Sequence, residues 1–178
     1  VSALAGCVPL NIWGKGLASQ EALDYVGTDA MRRASIEQTV VGATVYGDLF
    51  ELPAGPVSSA FSAEYREEKA STLPDPAMRK GLIFNNQSDA LQGEFDVAEV
   101  SAEISVPVVV DTFFADDIFV ELAYRYMDYS STGTDDAWKV SFNYVLNDEF
   151  RMRVNHSKSV RAPNIDELYS PPGQTFAS

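Results

Sequence analysis

The chain has 178 residues, 46% of them hydrophobic, and no stretch approaches the roughly 20 consecutive apolar residues of a membrane-spanning helix, which excludes a helical membrane protein. A formal net charge of −13 opposes nucleic-acid binding, because phosphate recognition requires a basic surface. One cysteine and one histidine exclude an internal disulfide framework and a Cys/His zinc site.

The first 35 residues predict a long irregular segment that is punctuated by glycine and proline. One short helix is expected in the segment QEALDY, because the hydroxyl of Ser19 is placed to cap its first turn. The chain starts with Val1 and closes on a stretch rich in Pro, Gly and Ser. We therefore expect an internal portion of a longer protein.

The next segments predict strands. Residues 36–52 are rich in β-formers and are followed by the turn sequence LPAGP. Residues 57–67 alternate apolar and polar side chains, which predicts a half-exposed strand. Residues 68–94 break the alternation, so we expect a long loop there, and loops of that length are usually functional.

Alternation returns in the second half of the chain, over residues 95–108, 118–129, 138–144 and 150–155. In the last of these, Phe150, Met152 and Val154 point to one side, and Arg151 and Arg153 point to the other. Short turns separate these strands. The sequence therefore predicts an up-and-down antiparallel meander of six strands within residues 36–160.

Alternation alone fits a soluble β-sandwich equally well. Two observations favour a membrane barrel instead. The apolar parity is rich in large amphipathic rings, which are typical of a membrane interface. Short and long connections also alternate, as in outer-membrane barrels with short periplasmic turns and long extracellular loops. The predicted fold is all-β: an antiparallel up-and-down meander forming part of a large transmembrane β-barrel.

The polar parity mixes both signs of charge. It fits the solvated face of a soluble sheet, or the self-neutralising lumen wall of a wide barrel. Its charged members are Glu64, Arg66, Glu99, Glu103, Glu121, Arg125, Lys139, Arg151 and Arg153. His156 shares the apolar parity, so we expect a rim residue rather than a metal ligand or catalyst. No Gly-x-Ser-x-Gly elbow or phosphate loop occurs, and we predict no catalytic residue, metal or cofactor.

Four segments carry a resemblance: CVPLNIWG, GPVSSAFSAEYREE, GEFDVAEVSAEISVP, and the stretch from ELAYRYMDY to RAPNIDELYSP. With them the chain resembles the TonB-dependent receptors of Gram-negative outer membranes over nearly its whole length. RAPNIDELY is the most specific piece, since this family typically has an R/K-A-P-N/S element where an outward strand enters an extracellular loop. His156 stands where relatives commonly carry an aromatic residue.

The resemblance implies a plugged barrel of about 22 strands. Residues 1–35 would be an extracellular loop, 36–160 six barrel strands with their loops, and 161–178 a further extracellular loop. Such a receptor sits in outer-membrane lipid as a single barrel and binds a siderophore, cobalamin or an oligosaccharide at its mouth. TonB drives import by acting on an N-terminal plug, and this sequence shows neither a plug domain nor a TonB box.

Three loop residues are candidates for ligand binding: Trp13, Arg161 and Asn164. Trp13 has the alternative role of packing its own loop, and Pro163 with Asn164 that of shaping a turn. The resemblance also implies a loop disulfide between Cys7 and a cysteine further upstream. Acidic loops argue against capture of an anionic siderophore in a basic pocket.

Two other functions fit the alternating strands. One is a soluble or surface-attached β-sandwich that binds glycans, which would partition into water and lack heat-modifiable migration on a gel. The other is a barrel that serves as a scaffold or adhesin without transporting anything, which would have no plug domain upstream.

Overall fold

The computed structural model of the protein describes residues 6–173. Its elements are α1 (Gln20–Val26), β1 (Arg32–Leu52), β2 (Gly55–Pro74), α2 (Pro76–Arg79), β3 (Leu91–Thr112), β4 (Ala115–Tyr129), β5 (Gly133–Val145), β6 (Arg151–Lys158) and α3 (Ile165–Tyr169). The strands form one antiparallel sheet in the order β1-β2-β3-β4-β5-β6, which confirms the predicted meander. None of the helices in residues 6–173 has the length and apolar character needed to cross a membrane.

The connections at the two ends of the sheet differ in length. At one end, here called the turn end, Pro53 and Ala54 join β1 to β2, Phe113 and Phe114 join β3 to β4, and residues 146–150 join β5 to β6. At the other end, the loop end, residues 75–90 join β2 to β3 and only residues 130–132 join β4 to β5. The predicted alternation of short and long connections is therefore present, with the short β4–β5 turn as its exception.

The predicted loop over residues 68–94 is too long at both ends. β2 continues to Pro74 and β3 begins at Leu91, so the loop spans only residues 75–90. The adjacent charges of Glu67 and Glu68 interrupt the apolar and polar alternation from which the strand was predicted. The strands nevertheless remain in contact there, since Lys69 Nζ lies 3.9 Å from Glu94 Oε2. β1 likewise begins at Arg32, inside the segment predicted to be irregular.

Cross-strand register fixes two faces of the sheet. Val120, Leu122 and Tyr124 of β4 pair directly with Phe142, Val140 and Trp138 of β5, so these six side chains lie on one face of the sheet. We call it the front face.

The back face carries Glu121 and Ala123, which pair with Ser141 and Lys139. On the front face Leu122 and Val140 are each 42% exposed, so no second sheet covers them within the described residues. An uncovered apolar face of this kind does not fit a β-sandwich.

Near the loop end of β3 the apolar side chains move from one face of the sheet to the other. From Ala98 to Val106 the apolar side chains lie on the front face, whereas from Leu91 to Val97 they lie on the back face. The register with β4 runs without interruption from Val97 to Pro107, so no bulge causes the change. The reversal is a property of the sequence, and it indicates that the surroundings of the two faces change at this level.

The chain divides into two compact units. One comprises Ser35–Ser71 and Gln92–Ser170, which is most of the sheet together with α3. The other comprises Thr72–Leu91 and the described parts of Val1–Ala34 and Pro171–Ser178. In this second unit Ser19 caps α1 as predicted, its hydroxyl accepting the N–H of Ala22 at 3.2 Å.

Candidate functional site

The back face carries the ion pairs that the polar parity predicted. Arg125 lies 3.6 Å from Glu99 on the neighbouring strand, and Lys139 lies 3.6 Å from Glu121. Within β2, Arg66 lies 3.1 Å from Glu68. These pairs form a wall of mixed charge rather than a surface of one sign.

Towards the turn end, β5 carries two buried polar residues on the back face, Ser141 and Asn143. The Arg153 Nε–H donates to Asn143 Oδ1 at 2.6 Å, and Asn143 is only 1% exposed. The amide nitrogen of Asn143 and the hydroxyl of Ser141 have no hydrogen-bond partner among the described residues. Waters or polar groups of another part of the protein would satisfy them.

Two of the depressions on the back face lie side by side. One of about 380 Å³ lies between Thr44, Ser62 and Ser101 and is bordered by Glu64, Glu99, Glu103 and Arg125. The other, of about 350 Å³, continues from Glu103 towards Asp48 and Lys139. Small side chains and acidic and basic side chains line both depressions, so this wall presents polar contacts along its length.

The RAPN element forms the start of a helix. Asn164 caps α3, with its Oδ1 accepting the N–H of Glu167 at 2.8 Å, while Glu167 Oε2 accepts the N–H of Asn164 at 2.9 Å. This reciprocal pair is a capping box. Arg161 Nη2 lies 2.6 Å from Glu167 Oε1. The Arg161 guanidinium, followed by the N–H of Asn164, holds the pKa of the Glu167 carboxyl below its ordinary value of 4.5.

α3 lies against the back face of β3. The ring of Tyr169 occupies the space beside Gly93, where an added Cβ would lie 2.7 Å from Cγ of that ring. The Tyr169 hydroxyl donates to the carbonyl oxygen of Glu94 at 2.8 Å. The same back face carries a buried apolar set, and Ile165 of α3 is also buried. The set is Phe95, Val97, Met127 and Tyr129.

Sequence reasoning did not identify this buried set. The signal for it is the reversed alternation in LQGEFDV, where leucine, glycine, phenylalanine and valine occupy the parity that carries glutamates further along the strand. The prediction treated most of this segment as loop. The contact between Gly93 and Tyr169 joins residues that are far apart in sequence, and it has no local signature.

The front face is bounded at the loop end by aromatic rings and then by charges. Tyr126 and Trp138 lie near this limit, and the Trp138 ring meets that of His156 edge-on with centroids 5.1 Å apart. Beyond them come Asp128 and Asp136. At the turn end lie Tyr144, Phe113 and Phe114, with the Tyr144 hydroxyl 2.5 Å from the carbonyl oxygen of Phe114.

The three predicted ligand residues lie in different places. Arg161 and Asn164 converge on Glu167, so both have partners inside their own loop. Trp13 belongs to the other compact unit and is 89% exposed, which does not support the alternative that it packs its loop. Cys7 is an exposed free thiol. Across residues 6–173 no group of three or more His, Cys, Asp or Glu side chains is arranged to hold a metal ion.

A family model described as TonB dependent receptor-like, beta-barrel matches residues 13–178. The match covers all six strands and α3. Searches of curated proteins and of solved structures gave no match.

Proposed function

The chain belongs to the family of TonB-dependent receptor-like β-barrels, and on that premise we propose that it forms part of the wall of a receptor that imports a scarce nutrient across the outer membrane of a Gram-negative bacterium. Members of this family are transporters rather than enzymes. The observation that carries the proposal is the uncovered apolar front face with rings at both limits.

We assign the front face to lipid. On β4 the apolar residues run from Ile118 to Tyr126, which matches the roughly 9 to 11 residues that a tilted strand needs to cross the hydrocarbon. Aromatic girdles at both limits are expected where such a barrel meets the two interfaces. Charges directly beyond Tyr126 and Trp138 fit the return of water at the loop end.

We assign the back face to the lumen. Its ion pairs and its depressions suit contact with water and with a polar plug, because hydrated surfaces tolerate paired charges at little cost. The unsatisfied amide of Asn143 fits a wall that receives further hydrogen bonds from the plug. TonB would act on that plug, and the barrel would work as a single copy.

Ligand recognition is assigned to the loop end. Trp13 is the leading candidate, because its indole ring is exposed and offers a large contact area with one N–H donor. Arg161 and Asn164 remain candidates. We expect each to contribute less to ligand affinity than Trp13, because both already hydrogen-bond to Glu167. The ligand is a siderophore, cobalamin or an oligosaccharide, and the negative charge of the chain favours a neutral or cationic one.

Growth tests the proposal. A strain deleted for the full-length receptor is supplied in turn with single siderophores, cobalamin or oligosaccharides as the limiting nutrient. We expect a growth defect on one of them, restored by the wild-type gene and restored less well by W13A. The matched control is I12A, which removes a neighbouring exposed apolar side chain. A deletion strain that grows normally on every nutrient would contradict import.

A further inference from the structure

The segment that follows β6 turns back across the sheet. β6 ends at Lys158, yet Tyr169 lies against β3, which is three strands away in the sheet. At about 4.8 Å between neighbouring strands, residues 159–170 therefore cross about 14 Å of wall. We call residues 159–170 the strap.

The strap contacts the wall at Gly93, where the lack of a side chain leaves space for a ring. Gly93 is the residue of β3 whose missing side chain leaves room for the Tyr169 ring. Any other residue at this position would place its Cβ within about 3 Å of three ring atoms, and real Cβ contacts are not that short. The hydroxyl of Tyr169 then reaches past Gly93 to the carbonyl oxygen of Glu94.

Tyr169 itself is 41% exposed, but residues on both sides of its contact with Gly93 are buried. Phe95 and Val97 of β3 are 7% and 0% exposed, although they lie on the face where Glu99, further along the same strand, pairs with Arg125. Ile165 is the one α3 residue that is buried, at 7% exposure. The exposed neighbours Asp166 and Glu167 mark the opposite side of α3.

We propose that the strap is a fixed part of the receptor mouth, and that Tyr169 seated against Gly93 is the joint that holds it in position. Tyr169 and Gly93 are thus positioning residues, which set how far α3 projects from the wall without themselves contacting ligand. The inference deepens the proposed function, since its location at the mouth rests on that function.

Cysteine labelling of the full-length receptor in intact cells measures whether the strap is seated. The background carries C7S, because Cys7 is exposed and would react. A cysteine at Ile165 reports release of the strap, since this position is buried when the strap is seated. A cysteine at the adjacent exposed Asp166 is the matched control, whose labelling by a membrane-impermeant maleimide should not change.

G93A should accelerate labelling of I165C by about tenfold, because the added methyl overlaps the Tyr169 ring. Y169A should do the same by removing the ring, whereas Y169F keeps the ring and should stay within about threefold of wild type. I165C in the G93A/Y169A double variant should be labelled no faster than in Y169A alone, since the methyl at position 93 then has no ring to overlap.

The double variant separates a joint from general damage to β3. If G93A acts by weakening the strand itself, its effect will add to that of Y169A, and the proposal is wrong. The proposal is also overturned if I165C labels rapidly in the unaltered receptor. Neither readout depends on transport, so a failed joint remains distinguishable from a failed import assignment.

Discussion

Placing an arginine near mid-height on the front face distinguishes a lipid-facing sheet from one that faces water. The middle of the apolar run of β4 is Leu122, which pairs with Ile104 of β3, and Ala102 lies two residues from Ile104 towards the loop end. Two residues amount to about 5 Å in height at a tilt of about 45°. A102R should therefore lower the free energy of unfolding by about 1–3 kcal/mol, between the cost at the midplane and the cost at the interface.

Two further alanine-to-arginine changes provide matched controls. Ala98 lies four residues nearer the loop end, about 13 Å along the strand at roughly 3.3 Å per residue and about 9 Å in height at a tilt of about 45°. A98R should therefore cost only about 0–1 kcal/mol, as charges near the interface do. Ala123 lies on the back face, where A123R should cost within about 0.5 kcal/mol.

The assay is reversible denaturant unfolding of the full-length receptor in lipid bilayers. All variants must show the same dependence of the unfolding free energy on denaturant concentration. The predicted order of destabilisation is A102R above A98R, and A98R close to A123R. Equal costs for A102R and A123R would refute the assignment of the front face to hydrocarbon. Equal costs for A102R and A98R would refute the depth assigned to Ala98.

Three further predictions concern the loop and turn ends. N164A should destabilise α3 by about 1 kcal/mol, read as faster hydrogen exchange at the N–H of Glu167, while N164D retains protection; unchanged exchange would contradict the cap. Because the pKa of Glu167 is lowered in the folded protein, its contribution is present above its ordinary value of 4.5 and is lost as the pH falls through the lowered value. Protection of α3 should thus fall on acidification, and E167Q should abolish this dependence; a Gln variant with the wild-type profile would count against it. Y144F should cost about 0.5–1.5 kcal/mol in the unfolding assay, and no cost would show that its bond to Phe114 is not formed.

Local signals were sufficient for much of the fold. Alternation and turn composition predicted six strands, and the serine before QEALDY predicted the cap of α1. Asn164 shows a local signal that was overlooked: Asn followed three residues later by Glu is a capping pattern, so the RAPN element starts a helix as well as turning the chain.

The strand ends were harder, because the periodicity that defines a strand depends on its surroundings. Lys69 and Glu94 belong to paired strands, but near the loop end charged side chains occupy the front face and break the pattern set lower down. The contact between Tyr169 and Gly93 could not be predicted, for a different reason. The two residues are far apart in sequence, and a glycine inside a strand does not indicate which residue packs against it.

A spin-label scan along β3, one position at a time from residue 91 to residue 106 in the full-length receptor in bilayers, tests the central claim most directly. We predict that oxygen accessibility, which reports hydrocarbon, peaks at even positions from 98 to 106, and that water-soluble nickel reagent reaches the odd ones. Near the loop end, positions 92, 94 and 96 should face water while 95 and 97 are shielded by the strap. Gly93 is left unlabelled, because any side chain there would overlap the Tyr169 ring. Even positions from 98 to 106 that are shielded from both reagents, or an oxygen alternation that continues unchanged to residue 91, would contradict the account.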